Sequence, residues 1–267
     1  MLSDAIHKVR SRPAARLQLF CFAHAGAAGT VFSGFDERLG DEVEVCAVTL
    51  PGRGARTDDP FAEEWPALIA DLARSVEAVG RGPVALLGHS LGATVAFEVA
   101  RQLAAAGRPP VRLFLSAPTV LGDDGLLHGD GSKITDEQVL EMIEDLAGEL
   151  GEEIADEPDV VAFFSAVIRA DYALAARYRD NDGGPLPVPA TILLGEEDGG
   201  VVPWLVPTWR QRLSVEVDVH TFSGGHLFLF NESREDALRL VELRLAETLA
   251  DLVSDGPVDS QQHGADR

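Results

Sequence analysis

The chain is 267 residues long (28.5 kDa), and its 46% hydrophobic and 25% charged residues supply the apolar content of a sizeable core, which excludes wholesale disorder. With 22 basic and 44 acidic residues the net charge is −22, which argues against nucleic acid or an anionic membrane surface as the main partner, although a local basic patch stays open. No apolar run approaches the ~18 residues of a membrane span, and residues 1–20 lack the apolar stretch of a secretory signal, so a cytoplasmic address is expected.

In chain order, residues 1–16 read as an N-terminal extension. Strand-like runs then begin at Leu17 (LQLFCFA), Val43 (VEVCAV), Pro83 (PVALLG), Val111 (VRLFLS), Ala190 (ATILLG) and Val215 (VEVDVH). Helical patterns of crossover length lie between them at 65–79, 91–107 and 204–213, and one at 233–252 closes a domain expected to span 17–252. Strand, helix, strand repetition predicts an α/β fold, a mostly parallel sheet with helices on both faces. The run Val215–His220 alternates apolar and polar residues, as an edge strand with one wet face does.

The alternation breaks between Ser116 and Ala190. There Val139, Leu140, Ile143, Leu146 and Leu150 recur at helical spacing, so an inserted helical lid is expected at about 123–182. From Asp123 to Phe163 it carries 14 acidic residues and one lysine, −13 of the total −22, which reads as a solvated helix face. Residues 253–267 are almost free of apolar side chains and read as a disordered tail. Cys21 and Cys46 lie in apolar runs, favouring two buried free thiols, and the seven histidines lack ligand spacing; neither metal nor cofactor is expected.

The run PVALLG passes into Gly88-His89-Ser90-Leu91-Gly92 and then into a helix. G-x-S-x-G alone is a short motif, but the strand-turn-helix context is that of a nucleophile elbow, whose glycines let strand and helix approach closely. A serine hydroxyl needs a base and a group to orient that base, in the order serine, acid, histidine. Asp198 lies beyond ATILLG and His226 beyond the last strand, 108 and 28 residues further on in turn. Both follow strand ends, which in a parallel sheet share one rim. Glu196 and Glu197 compete for the acid's place, and His220 and His24 for that of the base. The oxyanion donors expected are the N–H of Leu91 and, from the loop His24–Gly29 after the first recognised strand, that of Ala25. The rim loop Leu50–Gly54 is no dinucleotide fingerprint, because position 57 is threonine.

Together FAHAGAAG, LPGRG, GHSLGA, the segment Ile168–Tyr172, GEED and GGHLFL resemble the type II thioesterases of polyketide and nonribosomal peptide assembly lines, over about residues 16–252. The resemblance implies an α/β-hydrolase fold and a serine thioesterase that removes aberrant or stalled acyl groups from the phosphopantetheine arm of an acyl or peptidyl carrier protein. A terminal chain-releasing thioesterase and a broad carboxylesterase or lipase are the alternatives. It further implies that Ser90, Asp198 and His226 form the triad, that Leu91 and Ala25 form the oxyanion hole, and that Arg169, Asp171 and Tyr172 of the lid lie beside the substrate. Leu91 replaces a frequent methionine, and Glu196 and Gly199 a frequent aspartate and proline. Carrier proteins of such pathways are usually acidic, so Arg53 and Arg56, following a strand end, are the expected docking charges; the alternatives are that Arg53 braces its own turn and Arg56 is solvated, and that Arg169 and Asp171 only pin helices together.

Overall fold

The structure, a computed structural model, describes residues 4–119, 134–147, 157–180, 183–201, 205–215 and 217–254. Seven strands form one sheet: β1 (Ile6–Lys8), β2 (Leu17–Phe22), β3 (Val43–Val48), β4 (Val84–His89), β5 (Arg112–Ser116), β6 (Ala190–Gly195) and β7 (Val217–Phe222), in the spatial order β1-β3-β2-β4-β5-β6-β7. Strands β2 to β7 pair in parallel, and only β1 runs antiparallel, with Ile6 opposite Val48. A short α1 (Phe35–Arg38) follows β2, α2 (Trp65–Val79) joins β3 to β4, α3 (Leu91–Ala105) joins β4 to β5, α6 (Leu205–Arg212) joins β6 to β7, and α7 (Arg234–Ser254) follows β7. Between β5 and β6 lie α4 (Asp136–Ala147) and α5 (Pro158–Ala176).

The central strands are apolar at nearly every position because both faces are covered, and the two-residue side-chain period divides them between two cores. Phe20 and Phe22 of β2, Leu86 of β4 and Ile192 of β6 pack under α2, α3 and α6, around Leu72, Val99 and Trp209. Leu19 and Cys21 of β2, Leu87 of β4 and Leu193 of β6 pack on the other face under α1 and α7, around Phe35, Val241 and Leu245. The α3 helix is buried almost all round from Leu91 to Ala100, and this fixes the position of its first turn. Cys21 and Cys46 are buried free thiols, and burial pushes Cys46 up to about 12.

Three sequence expectations are corrected by these elements. Residues 6–8, read as part of an extension, form β1; Thr49 N–H donates to Ala5 O at 2.8 Å and Val9 N–H to Val45 O at 3.0 Å at its two ends. Three residues are too few to show a period, and the strand exists because β3 offers an edge. The last strand begins at Val217 rather than Val215; it is an edge strand as expected, half-buried along most of its length, with Thr221 exposed and Asp218 partly covered by Arg244 of α7 at 3.0 Å. In α4, Val139 and Ile143 pack on Ile168 of α5, but Leu140 is 43% exposed and stands off the apolar stripe. The side chains of Leu146 and Leu150 and the tail 255–267 lie outside the described residues, as does much of the acidic segment of the insertion.

Candidate active site

Four strand ends and their following loops build the site. The chain leaves β4 and turns into α3 through Ser90 at φ 55°, ψ −119°, a left-handed conformation that a side chain holds only when its surroundings impose it. The clamp is steric: a Cβ on Gly88 would lie 2.1 Å from Gly92 O, and one on Gly92 would lie 2.2 Å from Phe22 O. Ser90 N–H also donates to Ser116 O at 2.8 Å, tying the turn to the end of β5.

After β6, the N–H groups of Glu196 and Glu197 donate to Phe222 O (2.8 Å) and Gly224 O (3.1 Å), so the acid loop continues alongside the β7 loop. This turns Glu196 and Glu197 into solvent and Asp198 inward, its side chain 7% exposed. Asp198 Oδ1 accepts the Gly200 N–H at 2.9 Å, and Oδ2 accepts from His226 Nδ1 at 2.9 Å. His226 rides on a turn held by buried Phe228 and Leu229, with Phe228 stacked on Phe222. Its Nε2 lies 2.9 Å from Ser90 Oγ. A carboxylate only accepts, so Nδ1 carries the imidazole proton and Nε2 offers its lone pair to the serine hydroxyl. Burial opposes ionisation of Asp198, but the hydrogen bond and charge of His226 and the Gly200 N–H outweigh it and hold the carboxyl below its ordinary range.

Of the rivals for the base, His220 sits within β7 opposite Leu193. His24 does reach the site, but it is buried and donates Nδ1–H to Ala25 O at 3.0 Å. Its burial holds it at about 4, against the opposing pull of the Ala25 carbonyl, so it stays neutral. His89 lies between these two rings, 5.8 Å from His24 and 5.4 Å from His226, and pairs with Ser116 Oγ at 2.9 Å. Burial first, and its two histidine neighbours next, push it well below its ordinary value.

Two small clefts meet at Ser90. One, about 150 Å³, is lined by His24, Ala25, Met142, Tyr172, His226 and Leu227; the other, about 40 Å³, by Ala25, Leu91, Thr119, Asp171, Tyr172 and Ala175. Leu91 and Ala25 therefore share a cleft with the serine, and the Leu91 N–H, first in α3, has no acceptor within its own helix. A larger cleft of about 590 Å³ between α2, α3 and residues 177–179 and 183–186 contains none of these groups. The chemistry selects the smaller space.

Of the three residues expected to belong to a lid, all on α5, Tyr172 lines both clefts and Asp171 the smaller, whereas Arg169 lines neither. Arg169 donates to Ile134 O at 2.8 Å and pairs with Asp136, pinning α5 to the start of α4. The docking arginines are corrected. Arg53 is 3% exposed and makes a two-pronged bond to Asp171, with Nη1 to Oδ2 at 2.6 Å and Nη2 to Oδ1 at 2.5 Å. Arg56 is held by Asp59 at 2.7 Å and Asp71 at 2.9 Å. Neither presents a free charge. Met142, Leu227 and His89 were missed by sequence reasoning; His89 alone had a signal, its place inside the elbow motif.

Residues 17–245 match the model of the thioesterase domain family. The chain belongs to that family. It is 31% identical over 235 residues to the thioesterase PikA5 of Streptomyces venezuelae, covering 86% of this chain and 82% of PikA5. The type II thioesterase BorB from the borrelidin biosynthetic cluster superposes with a TM-score of 0.77 at 30% identity, over 92% of this chain and 98% of that one. A further relative, the AMB antimetabolite synthetase AmbE of Pseudomonas aeruginosa, is 32% identical over 232 residues, which are 86% of this chain but only 11% of AmbE. The thioesterase is thus a thioester hydrolase of α/β-hydrolase fold. Among the described residues, no helix is long and apolar enough to cross a membrane.

Proposed function

We propose that this thioesterase is an editing enzyme of the cytoplasm, which removes aberrant or stalled acyl groups from the phosphopantetheine arm of acyl or peptidyl carrier proteins in a polyketide or nonribosomal peptide pathway. The observation that carries the reading is the unbroken line of hydrogen bonds Ser90–His226–Asp198 in a chain that BorB, a type II thioesterase, matches over nearly its whole length. In this reading residues 17–252 are the hydrolase domain and 123–182 its lid.

Ser90 Oγ attacks the thioester carbonyl while its proton passes to His226 Nε2, and Asp198 holds the imidazolium that forms. The carbonyl oxygen, now an anion, takes the Leu91 and Ala25 N–H groups. The C–S bond breaks, the arm leaves as thiolate and collects the proton from His226; with a thiol pKa near ~8.5 it needs little acid help. Water then gives one proton to His226 and its oxygen to the acyl carbon, and collapse returns the proton to Ser90 and frees the carboxylic acid. Acyl-chain preference falls to Tyr172, Met142 and Leu227, which wall the cleft.

The deciding experiment compares acyl carrier proteins with matched oxygen esters. Wild type is expected to hydrolyse the carrier-bound thioesters, Ser90→Ala to lose several orders of magnitude while remaining folded, and a fluorophosphonate to label Ser90. Preference for oxygen esters would instead favour the carboxylesterase alternative, and near wild-type turnover by S90A would remove Ser90 from the mechanism.

A further inference from the structure

The oxyanion loop is built as a turn whose central peptide is held from two sides. Ala27 N–H donates to His24 O at 3.2 Å, and Gly26 has φ +81°, so residues 24–27 form a turn with a left-handed third residue, the mark of type II. Types I and II differ by a flip of the central peptide, here the one joining Ala25 to Gly26. In this turn its carbonyl accepts His24 Nδ1–H at 3.0 Å, and its N–H donates to Asp171 Oδ2 at 2.8 Å. Asp171 belongs to α5, 145 residues further along the chain.

Asp171 is a carboxylate buried with its side chain 4% exposed, and Arg53, equally buried, matches its charge through both prongs. Arg53 Nη1 also reaches Ala27 O at 3.3 Å, so the same guanidinium braces the next residue of the turn. Flipping the central peptide would set the Ala25 carbonyl against the Asp171 carboxylate and lose both bonds. Three segments therefore meet at one ion pair: the LPGRG loop, the oxyanion turn and the lid helix.

We infer that the Arg53–Asp171 pair is a positioning device of the reaction: it fixes the oxyanion turn so that the Ala25 N–H points at the developing negative charge, and it makes that alignment depend on where α5 sits. The inference rests on the thioesterase reading of Ser90. Neither residue touches the reacting atoms. Both act through Ala25, and a plain bracing role would stabilise the fold without bearing on the transition state.

The pair can be exchanged without leaving a buried unpaired charge. Arg53→Gln with Asp171→Asn keeps an oxygen able to accept the Gly26 N–H, whereas Arg53→Met with Asp171→Leu keeps bulk and removes the acceptor. Each is assayed with hexanoyl-N-acetylcysteamine, with counts of fluorophosphonate-titrated sites, and with an alkyl trifluoromethyl ketone, which forms an oxyanion adduct on the serine. The apolar pair is expected to lose about 10- to 100-fold in kcat per titrated site with little change in KM, and to lose ketone affinity by a similar factor. The amide pair should recover most of both. Unchanged kcat and ketone affinity per titrated site in the apolar pair would overturn the inference. If that pair does not fold, amide hydrogen exchange of the wild type decides: Gly26 N–H is expected to be protected, and rapid exchange would overturn the clamp. Wild type that fails to cleave the thioester, or cleaves it without Ser90, refutes the underlying reading instead and is seen before any Arg53 or Asp171 variant is made.

Discussion

Replacing Asp198 by asparagine tests the proton arrangement of the site, because the structure dictates how the amide must sit. Gly200 N–H donates to one oxygen of Asp198 and His226 Nδ1–H to the other. An asparagine has one acceptor for these two donors. If its oxygen faces Gly200, its NH₂ faces Nδ1, which must then accept, so the imidazole proton moves to Nε2 and the lone pair that receives the Ser90 proton is lost. In the opposite orientation the tautomer survives, but the NH₂ confronts the Gly200 N–H and leaves a donor unpaired, at a cost of about 1–3 kcal/mol. The first orientation is favoured, and with it a loss of about 10⁴ in kcat, or roughly 5 kcal/mol of transition-state stabilisation, at nearly unchanged KM. Hydrolysis of an acyl-N-acetylcysteamine thioester gives the rate, and ¹⁵N spectroscopy of His226 gives the tautomer. Turnover within tenfold of wild type, with the proton shown to reside on Nε2, would refute the assignment of His226 as base.

Two further outcomes are expected. Met142→Trp should narrow the cleft of about 150 Å³ beside Ser90 and depress long-chain thioesters more than acetyl ones, checked by kcat/KM across chain lengths; equal loss throughout would place Met142 outside the acyl path. Stability should fall with acid through His24. Its folded value of about 4 lies below the ordinary 6.5, so the unfolded chain takes up the proton first. The contribution is therefore complete above pH 6.5, declines between 6.5 and 4, and is lost below, an effect of about 3 kcal/mol. Denaturant titrations of wild type and His24→Gln should diverge in slope across that window by up to about 1.4 kcal/mol per pH unit, and parallel slopes would show that His24 is not held neutral.

Most of the sheet was legible because its signals are local. Leu19 and Phe20, or Leu86 and Leu87, are apolar neighbours that face opposite cores, and such runs, separated by long amphipathic helices, specify a parallel sheet covered on both sides. Ser90 was legible for the same reason: Gly88 and Gly92 record in the sequence how little space separates β4, α3 and β2. β1 was not, since the hydrogen bonds that define Ile6–Lys8 all run to a strand about forty residues away. Leu140 shows the converse limit: helical spacing marks a stripe of apolar residues, but only the partner, here Ile168 on α5, decides which edge of the stripe is buried.

Chain order and loop position, which follow from the parallel sheet, are what pointed to Ser90, Asp198 and His226, and the structure brings the three side chains within hydrogen-bond reach. Choosing Asp198 over Glu196 and Glu197 was a smaller step, resolved by the bonds that lay the acid loop along Phe222 and Gly224. The arginines failed for a physical reason. A guanidinium after a strand end looks the same in sequence whether it meets solvent or a carboxylate 118 residues away, and burial of the Arg53–Asp171 pair is visible only once α5 is packed over the LPGRG loop. Burying such a pair is costly unless its remaining donors and acceptors are also engaged. Here Gly26 N–H and Ala27 O occupy part of that remaining capacity, and both belong to the turn that presents Ala25. The ion pair that withdraws Arg53 from any docking surface is thus the same contact that ties α5 to the turn His24–Ala27, so, if that turn holds the proposed oxyanion donor, reversing the charge at position 53 is expected to act on turnover of small thioesters and carrier-bound ones alike.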